Sequence, residues 1–310
     1  MAIVEFPTLT YEVDGRIARI TFNRPEQGNS ITPDTPVDLA AAVERADLDP
    51  RVHVMVLSGR GKGFCGGYDL TASAERLLDD EGFAGERPSL EGTALDPAVQ
   101  ARNHDPQGTW DPMVDFAMMS RFTKGFASLL HANKPTVAKI HGFCVAGGTD
   151  IALHCDQIVI AADTKIGYPP TRVWGIPSAG MWAHRLGDQK AKRLLLTGDC
   201  LSGREAYEWG LAIEAPEPED LDARTENLLQ RIAAMPINQL MMVKLALNSA
   251  LLSQGVHTSQ MISTVFDGIS RHTSEGYAFQ ARAAEVGFRQ AVRERDGEPF
   301  NDYGASTNKG

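Results

Sequence analysis

A chain of 310 residues that is 43% hydrophobic can bury a full core. Its formal charge of −10 and pI near 5.3 argue against a surface built for nucleic acid or an anionic membrane. The four cysteines (Cys65, Cys144, Cys155 and Cys200) form no C-x-x-C pair, and there is no signal-like start and no apolar run of ~20 residues, so a cytoplasmic protein with reduced thiols is expected.

In chain order, Asp14-Gly15 is a turn signal between residues 11–13 and Ile17–Phe22, where Ala18, Ile20 and Phe22 alternate with Arg19 and Thr21. This reads as a hairpin. A helix is expected from about Asp34, with Leu39, Ala42, Val43 and Ala46 on one face, until Asp49-Pro50 stops it. Residues 52–57 then read as a buried strand, and the β, β, α, β order points to α/β layering. The Gly-rich loop of residues 58–70 matches neither G-x-x-x-x-G-K-[ST] nor a G-x-G-x-x-G followed by its helix and acid. Two readings stay open: crowded glycines that let the Gly66 backbone approach a ligand, or a tight turn alone.

Residues 71–112 are rich in acids, Gly and Pro and read as a lid-like or disordered insertion, with Trp110 near its end placed to pack over a ligand. Residues 115–130 carry Phe116, Met119, Phe122, Phe126 and Leu130 at helical spacing, a core stripe. The stretch from Lys134 to Gly180 organises the chain. It holds strand-like runs at 137–140 and 158–161, and between them Ala146-Gly147-Gly148 opens a short helix with Asp150 in its first turn. Bare backbone N–H groups at such a bend can hold an oxyanion. Gly175-Ile176-Pro177-Ser178-Ala179-Gly180 has the wrong spacing for a G-x-S-x-G nucleophile turn, and eight scattered histidines without H-E-x-x-H give a metal site little support.

Beyond it a helix is expected over 189–196. Ser202 and Glu205 form a capping box for another helix that Gly210 stops. Pro216 to Pro218 marks a boundary between a core of residues 1–215 and a helical region of 216–295. The latter holds helices at 221–234, 237–252, 256–270 and 274–293, and residues 296–310 form a polar, mobile tail.

The chain resembles the crotonase superfamily, the enoyl-CoA hydratase/isomerase group. The resemblance lies in Asn23-Arg24-Pro25, the 63–70 loop, Lys134-Pro135, residues 142–148, Cys155-Asp156, residues 176–180 and Leu196-Thr197-Gly198 through Gly210-Leu211. It implies an α/β, crotonase-like spiral of ββα units with a C-terminal helical trimerisation region, a homotrimer or hexamer. It also implies an acyl-CoA thioester as ligand, with no cofactor beyond the coenzyme A that the substrate brings. Gly66 and Gly147 match the two amides of the family's oxyanion hole, and Cys65, Gly67, Asp69, Leu70 and Phe279 are expected to contact substrate and coenzyme A.

The chain also departs from the family pattern. Where the family's hydratases have a glutamate after the glycine bend there is Asp150, and where they have a second one, twenty residues on, there is Pro170. Asp150 is therefore the expected acid/base, and two-glutamate hydration is in doubt. His154, four residues after Asp150, is expected either to pair with its side chain, raising the charged fraction of the imidazole, or to be satisfied by a backbone carbonyl. Asp111 and Asp115 are further acids able to reach the acyl group. Arg172 and Trp174 either read a substrate carboxylate or ring or belong to surface and core. Two other readings of the whole chain stay open: a catalytically weak acyl-CoA-binding protein, and a CoA-independent C–C bond hydrolase of the same fold using His and Asp.

Overall fold

The computed structural model describes residues 3–69, 90–297 and 300. Leu70, residues 71–89 of the 71–112 stretch, and residues 298, 299 and 301–310 of the expected tail lie outside the described residues. The hairpin forms: β2 (Leu9–Asp14) pairs antiparallel with β3 (Ile17–Phe22), Leu9 opposite Phe22 and Asp14 opposite Ile17. Gly15 supplies the positive φ of +57° at the turn. A two-residue edge strand, β1 (Val4–Glu5), pairs with β2.

From β3 the sheet continues in parallel through β4 (Val54–Gly59), β5 (Thr136–Ile140) and β7 (Gln157–Ile160). The crossovers are α1 (Thr35–Leu48) and α3 (Pro112–His131), which pack on each other. β4 reads as an unbroken apolar run because both faces of the sheet are covered. Met55 and Leu57 enter the main core. Val54 and Val56 join Ile17, Val137 and Val159 in a smaller core closed by Leu221, Leu229 and Ala233 of α8 (Leu221–Ala233).

A second sheet, not foreseen from the sequence, has the order β6 (Phe143–Val145), β8 (Lys165–Gly167) and β9 (Cys200–Ser202). Its strands are three residues long, too short for a period-2 pattern to show. The expected capping box is present: Ser202 Oγ accepts from Glu205 N at 3.2 Å, and Glu205 Oε2 accepts from Ser202 N at 2.8 Å, starting α7 (Gly203–Trp209).

The other helices before the C-terminal region are α2 (Pro97–Asn103), α4 (Gly147–Ala152), α5 (Ala179–Leu186) and α6 (Asp188–Leu195). The C-terminal region is α9 (Ile237–Ser253), α10 (Val256–Arg271), α11 (Ser274–Val286) and α12 (Phe288–Arg295). The single helix expected over 274–293 is thus two. Gly287, at φ 82° and ψ 147°, breaks it with a conformation that other residues adopt only under strain. α9 is pinned to the core by Lys244, whose buried Nζ donates to the carbonyls of Leu129 and Lys134 at 3.0 Å and lies 2.9 Å from Asp156 Oδ2.

Candidate active site

Two glycine loops meet at the end of the parallel sheet. Cys65 and Cys144 form a parallel bridge, and Val145 N donates to Cys65 O at 3.1 Å, so residues 65–67 lie against 144–148. The fit requires missing side chains. A Cβ on Gly148 would stand 2.5 Å from Cys65 O, and one on Gly67 would stand 2.7 Å from Ala146 Cβ and 3.6 Å from Gly147 N. Ala146 itself has φ 52° and ψ −131°, a conformation that costs a non-glycine residue about 1–3 kcal/mol. This strained residue places the Gly147 amide at the first position of α4, where no intrahelical carbonyl can reach it.

The second expected oxyanion donor is arranged differently. Gly66 N–H donates to Gly28 O at 2.9 Å, so in this structure a thioester oxygen would share or displace that bond. Gly28, at φ +62°, closes the turn that presents this carbonyl.

Asp150 lies in α4, one turn past Gly147, and is 4% exposed. Its Oδ1 accepts from Ser178 N at 2.7 Å. Burial pushes its pKa up to about 7, opposed by the hydrogen bonds from Ser178 and helped by the charge of Asp267. A carboxyl near half-ionisation at neutral pH is suited to taking and returning a proton. Tyr68 and Tyr168 face the same space, and burial followed by the Asp150 charge holds both phenols well above their ordinary range.

His154 does not pair with the Asp150 side chain. Its Nδ1 bonds the backbone carbonyl of Asp150 at 2.5 Å, and burial pulls its pKa down to about 4, so it is neutral. Of the two expectations the backbone-carbonyl one holds, and the rise in charged fraction that side-chain pairing would bring is replaced by a fall, because desolvation outweighs the bond to the Asp150 carbonyl. Pro170 sits in a 3₁₀ turn, Pro169–Arg172, and brings no acid.

Several other expected contacts are committed elsewhere. The Asp69 carboxylate holds Arg24 at 2.8 Å and Ser30 Oγ at 3.0 Å, which orders the loop. The Cys65 thiol is fully buried, with its pKa pushed up to about 12 by desolvation. Phe279 is 8% exposed and packs against Trp174 and Phe288. Arg172 is buried: it donates to Thr197 O at 3.1 Å, pairs with Asp199 and Asp296 and lies over the Phe300 ring, so it anchors the chain's end. Asp111 caps α3 through Met113 N at 2.9 Å. Trp110 stacks on His272 and donates to Asp115.

Asp115 belongs to a buried network that sequence reasoning missed. Its Oδ2 accepts from Asn103 Nδ2 (3.1 Å), Trp110 Nε1 (2.8 Å) and His272 Nε2 (2.9 Å), and its Oδ1 lies 3.5 Å from Arg271. Arg271 also pairs with Asp267 at 3.1 Å. The one signal available was the Asp267/Arg271 spacing of four on a helix whose inner face is otherwise apolar or small. Among the described residues no group of His, Cys, Asp and Glu is placed to hold a metal ion, and no helix is long and apolar enough to cross a membrane.

Compared with known proteins, the chain matches the family model described as enoyl-CoA hydratase/isomerase over residues 12–89 and 112–284. The match skips 90–111, the segment that carries α2 and Trp110. A crystal structure of an enoyl-CoA hydratase from Mycobacterium smegmatis is 65% identical, covers 97% of both chains and superposes with a TM-score of 0.88. The (E)-benzylidenesuccinyl-CoA hydratase of Thauera aromatica is 29% identical over 73% of this chain and 76% of its own. The 1,2-epoxyphenylacetyl-CoA isomerase of Escherichia coli is 27% identical over 77% and 80%.

Proposed function

The chain belongs to the enoyl-CoA hydratase/isomerase family, and on that premise we propose that it moves a proton on an acyl-CoA thioester with one carboxylate, Asp150. The observation that carries this reading is the placement of Asp150. It is buried one turn from the Gly147 amide and held at 2.7 Å by Ser178 N–H, with a pKa near 7, while Pro170 stands where a second acid would.

In the proposed reaction the thioester oxygen is received by Gly147 N–H and by Gly66 N–H as the latter turns from Gly28 O. From a 3-enoyl thioester Asp150 removes a proton at C2, the electron pair spreads as a dienolate onto the thioester oxygen, and the same carboxyl returns the proton at C4 as the double bond moves from C3–C4 to C2–C3. One base suffices for such an isomerisation. Hydration needs a water activated and a carbon protonated, a task that paired carboxylates divide. Coenzyme A enters only as part of the substrate in this reading. The ligand class follows from the family, and the aryl-substituted thioesters named for two relatives belong in the test panel.

A second reading, an acyl-CoA binder with little turnover, draws on the Gly66 to Gly28 bond, which leaves one amide less ready for an oxyanion. The reading of a CoA-independent hydrolase finds no His–carboxylate pair at Asp150, where the His154 Nδ1 is taken by the Asp150 backbone carbonyl. Incubating the protein with 3-enoyl-, 2-enoyl- and aryl-CoA thioesters in deuterated water separates these readings. Isomerisation with deuterium entering at C4 of the product, or at C2 of recovered substrate, supports the proposal; tight binding with neither turnover nor exchange supports the binder and overturns it.

Self-association is part of the proposal. α9 and α10 expose Met242, Val243, Leu247, Met261, Val265 and Phe266, each at 40% or more. Such an apolar face suits a contact between copies of this chain, a trimer or pairs of trimers.

A further inference from the structure

The turn that follows Pro169–Arg172 is held by three side chains. Gly175 N–H donates to Ser270 Oγ (3.2 Å), Ile176 N–H to Asp267 Oδ1 (3.1 Å) and Ser178 N–H to Asp150 Oδ1 (2.7 Å). Pro177, between the last two, has no N–H to give. The turn therefore spans two buried carboxylates, one on α4 and one on α10, and neither sheet continues through it. It has little freedom at its start, because a Cβ on Gly175 (φ +115°) would already stand 3.2 Å from Pro170 Cβ and 3.6 Å from the Tyr168 hydroxyl.

Asp267 is itself fixed. Its Oδ2 takes the Arg271 guanidinium, which also faces Asp115, and Asp115 gathers Asn103, Trp110 and His272; the His272 Nδ1 meets the Tyr277 hydroxyl at 2.9 Å. Asn103 and Trp110 lie in the 90–111 segment that the family pattern lacks, so this chain adds its own support to the far end of the network.

We propose that Asp267, backed by Arg271 and Asp115, is the positioning residue of this site: it holds the 175–178 turn where the Ser178 amide meets the Asp150 carboxylate. The inference rests on Asp150 being the working base. It assigns Asp267 no contact with substrate.

The position has an electrostatic consequence. The titratable groups facing Asp150 are Cys65 and Tyr68 from the glycine loop, Cys144 from β6, Tyr168 from the end of β8, and Asp267 from α10, with Arg271 and Asp115 behind it. Burial keeps the thiols and phenols neutral near pH 7, which leaves Asp267, raised by its own burial and pulled down by Arg271, as the facing acid able to carry charge there. Asp267→Asn keeps an acceptor for Ile176 N–H and removes a like charge, leaving Arg271 less compensated. Both changes favour ionised Asp150.

The test uses the full-length, substrate-free protein with 13C-labelled aspartate carboxyls, the Asp150 signal being assigned by its loss in Asp150→Asn. In Asp267→Asn the Asp150 midpoint is expected to fall by ~0.5 unit or more, a threefold or greater change in ionisation constant. A folded variant whose midpoint stays in place overturns the proposal. Hydrogen exchange of the wild-type peptide covering residues 174–179 is the second measurement and needs no variant. Slow exchange at Ile176 and Ser178 is expected, and exchange at the rate of an open loop overturns it. If both results hold and no thioester is turned over, the functional reading fails and the positioning role of Asp267 stands.

Discussion

Asp150→Asn separates the chemistry of the site from its cost. The carboxyl ionises near pH 7 in the fold against about 4 in an unfolded chain, a difference of about 3 units, and each unit is about 1.36 kcal/mol. Above pH 7 the fold therefore holds an ionised, desolvated Asp150 at a cost of about 4 kcal/mol. The sign follows from proton counting. Between pH 4 and 7 the folded state binds more protons than the unfolded one, so this group's contribution to stability falls as pH rises through that window and stays low above it. Asparagine is nearly isosteric, still accepts from Ser178 N–H and carries no charge. Urea unfolding is expected to show Asp150→Asn more stable than wild type by up to about 4 kcal/mol at pH 8 and little different at pH 4. Turnover of whichever thioester the panel identifies should fall by about 10²-fold or more. Equal stability of the two proteins at pH 8, together with wild-type turnover, would refute the assignment of Asp150 as a buried, functional base.

Three further outcomes are expected. His154 ionises near pH 4 in the fold, below its ordinary 6.5, so the stability it contributes is present above pH 6.5 and is lost as pH falls through 4, about 3 kcal/mol in all; His154→Gln should flatten this acid-side loss in urea titrations at pH 7 and 4.5. Ala146→Gly should relieve the φ 52° backbone and, net of glycine's added chain entropy, raise stability by about 1 kcal/mol, read as an upward shift in Tm; an unchanged or lower Tm would show that the backbone is not strained there. Phe266→Asp, on the exposed face of α10, should lower the mass seen by light scattering toward that of one chain while leaving far-UV circular dichroism unchanged.

Much of the architecture is legible in residue order because it rests on local rules. Asp14-Gly15 admits only a tight turn, the Leu39/Ala42/Val43/Ala46 stripe admits only a one-sided helix, and Ser202 with Glu205 satisfies a helix start from within four residues. Three-residue β6, β8 and β9 were missed because they exist only through pairing with each other. The break at Gly287 was missed because an apolar helical spacing continues across it and only the backbone angle reveals the stop.

The candidate site divides in the same way. Gly66, Gly147 and Asp150 stand out as candidates before any fold is known, because the resemblance to the family marks those positions and because close backbone approach favours glycine and proton transfer a titratable group. What each side chain does with its neighbours was decided by the fold. His154 faces a carbonyl instead of a carboxylate, Asp69 serves Arg24, Gly66 N–H rests on Gly28 O, and Asp267 reaches Ile176 of the 175–178 turn from 91 residues away. Sequence determined which chemical groups this protein has and where the chain must bend. Tertiary structure decided which of them are desolvated and which are paired, and desolvation is what moves the Asp150 carboxyl from the ordinary range of a surface acid up to about 7.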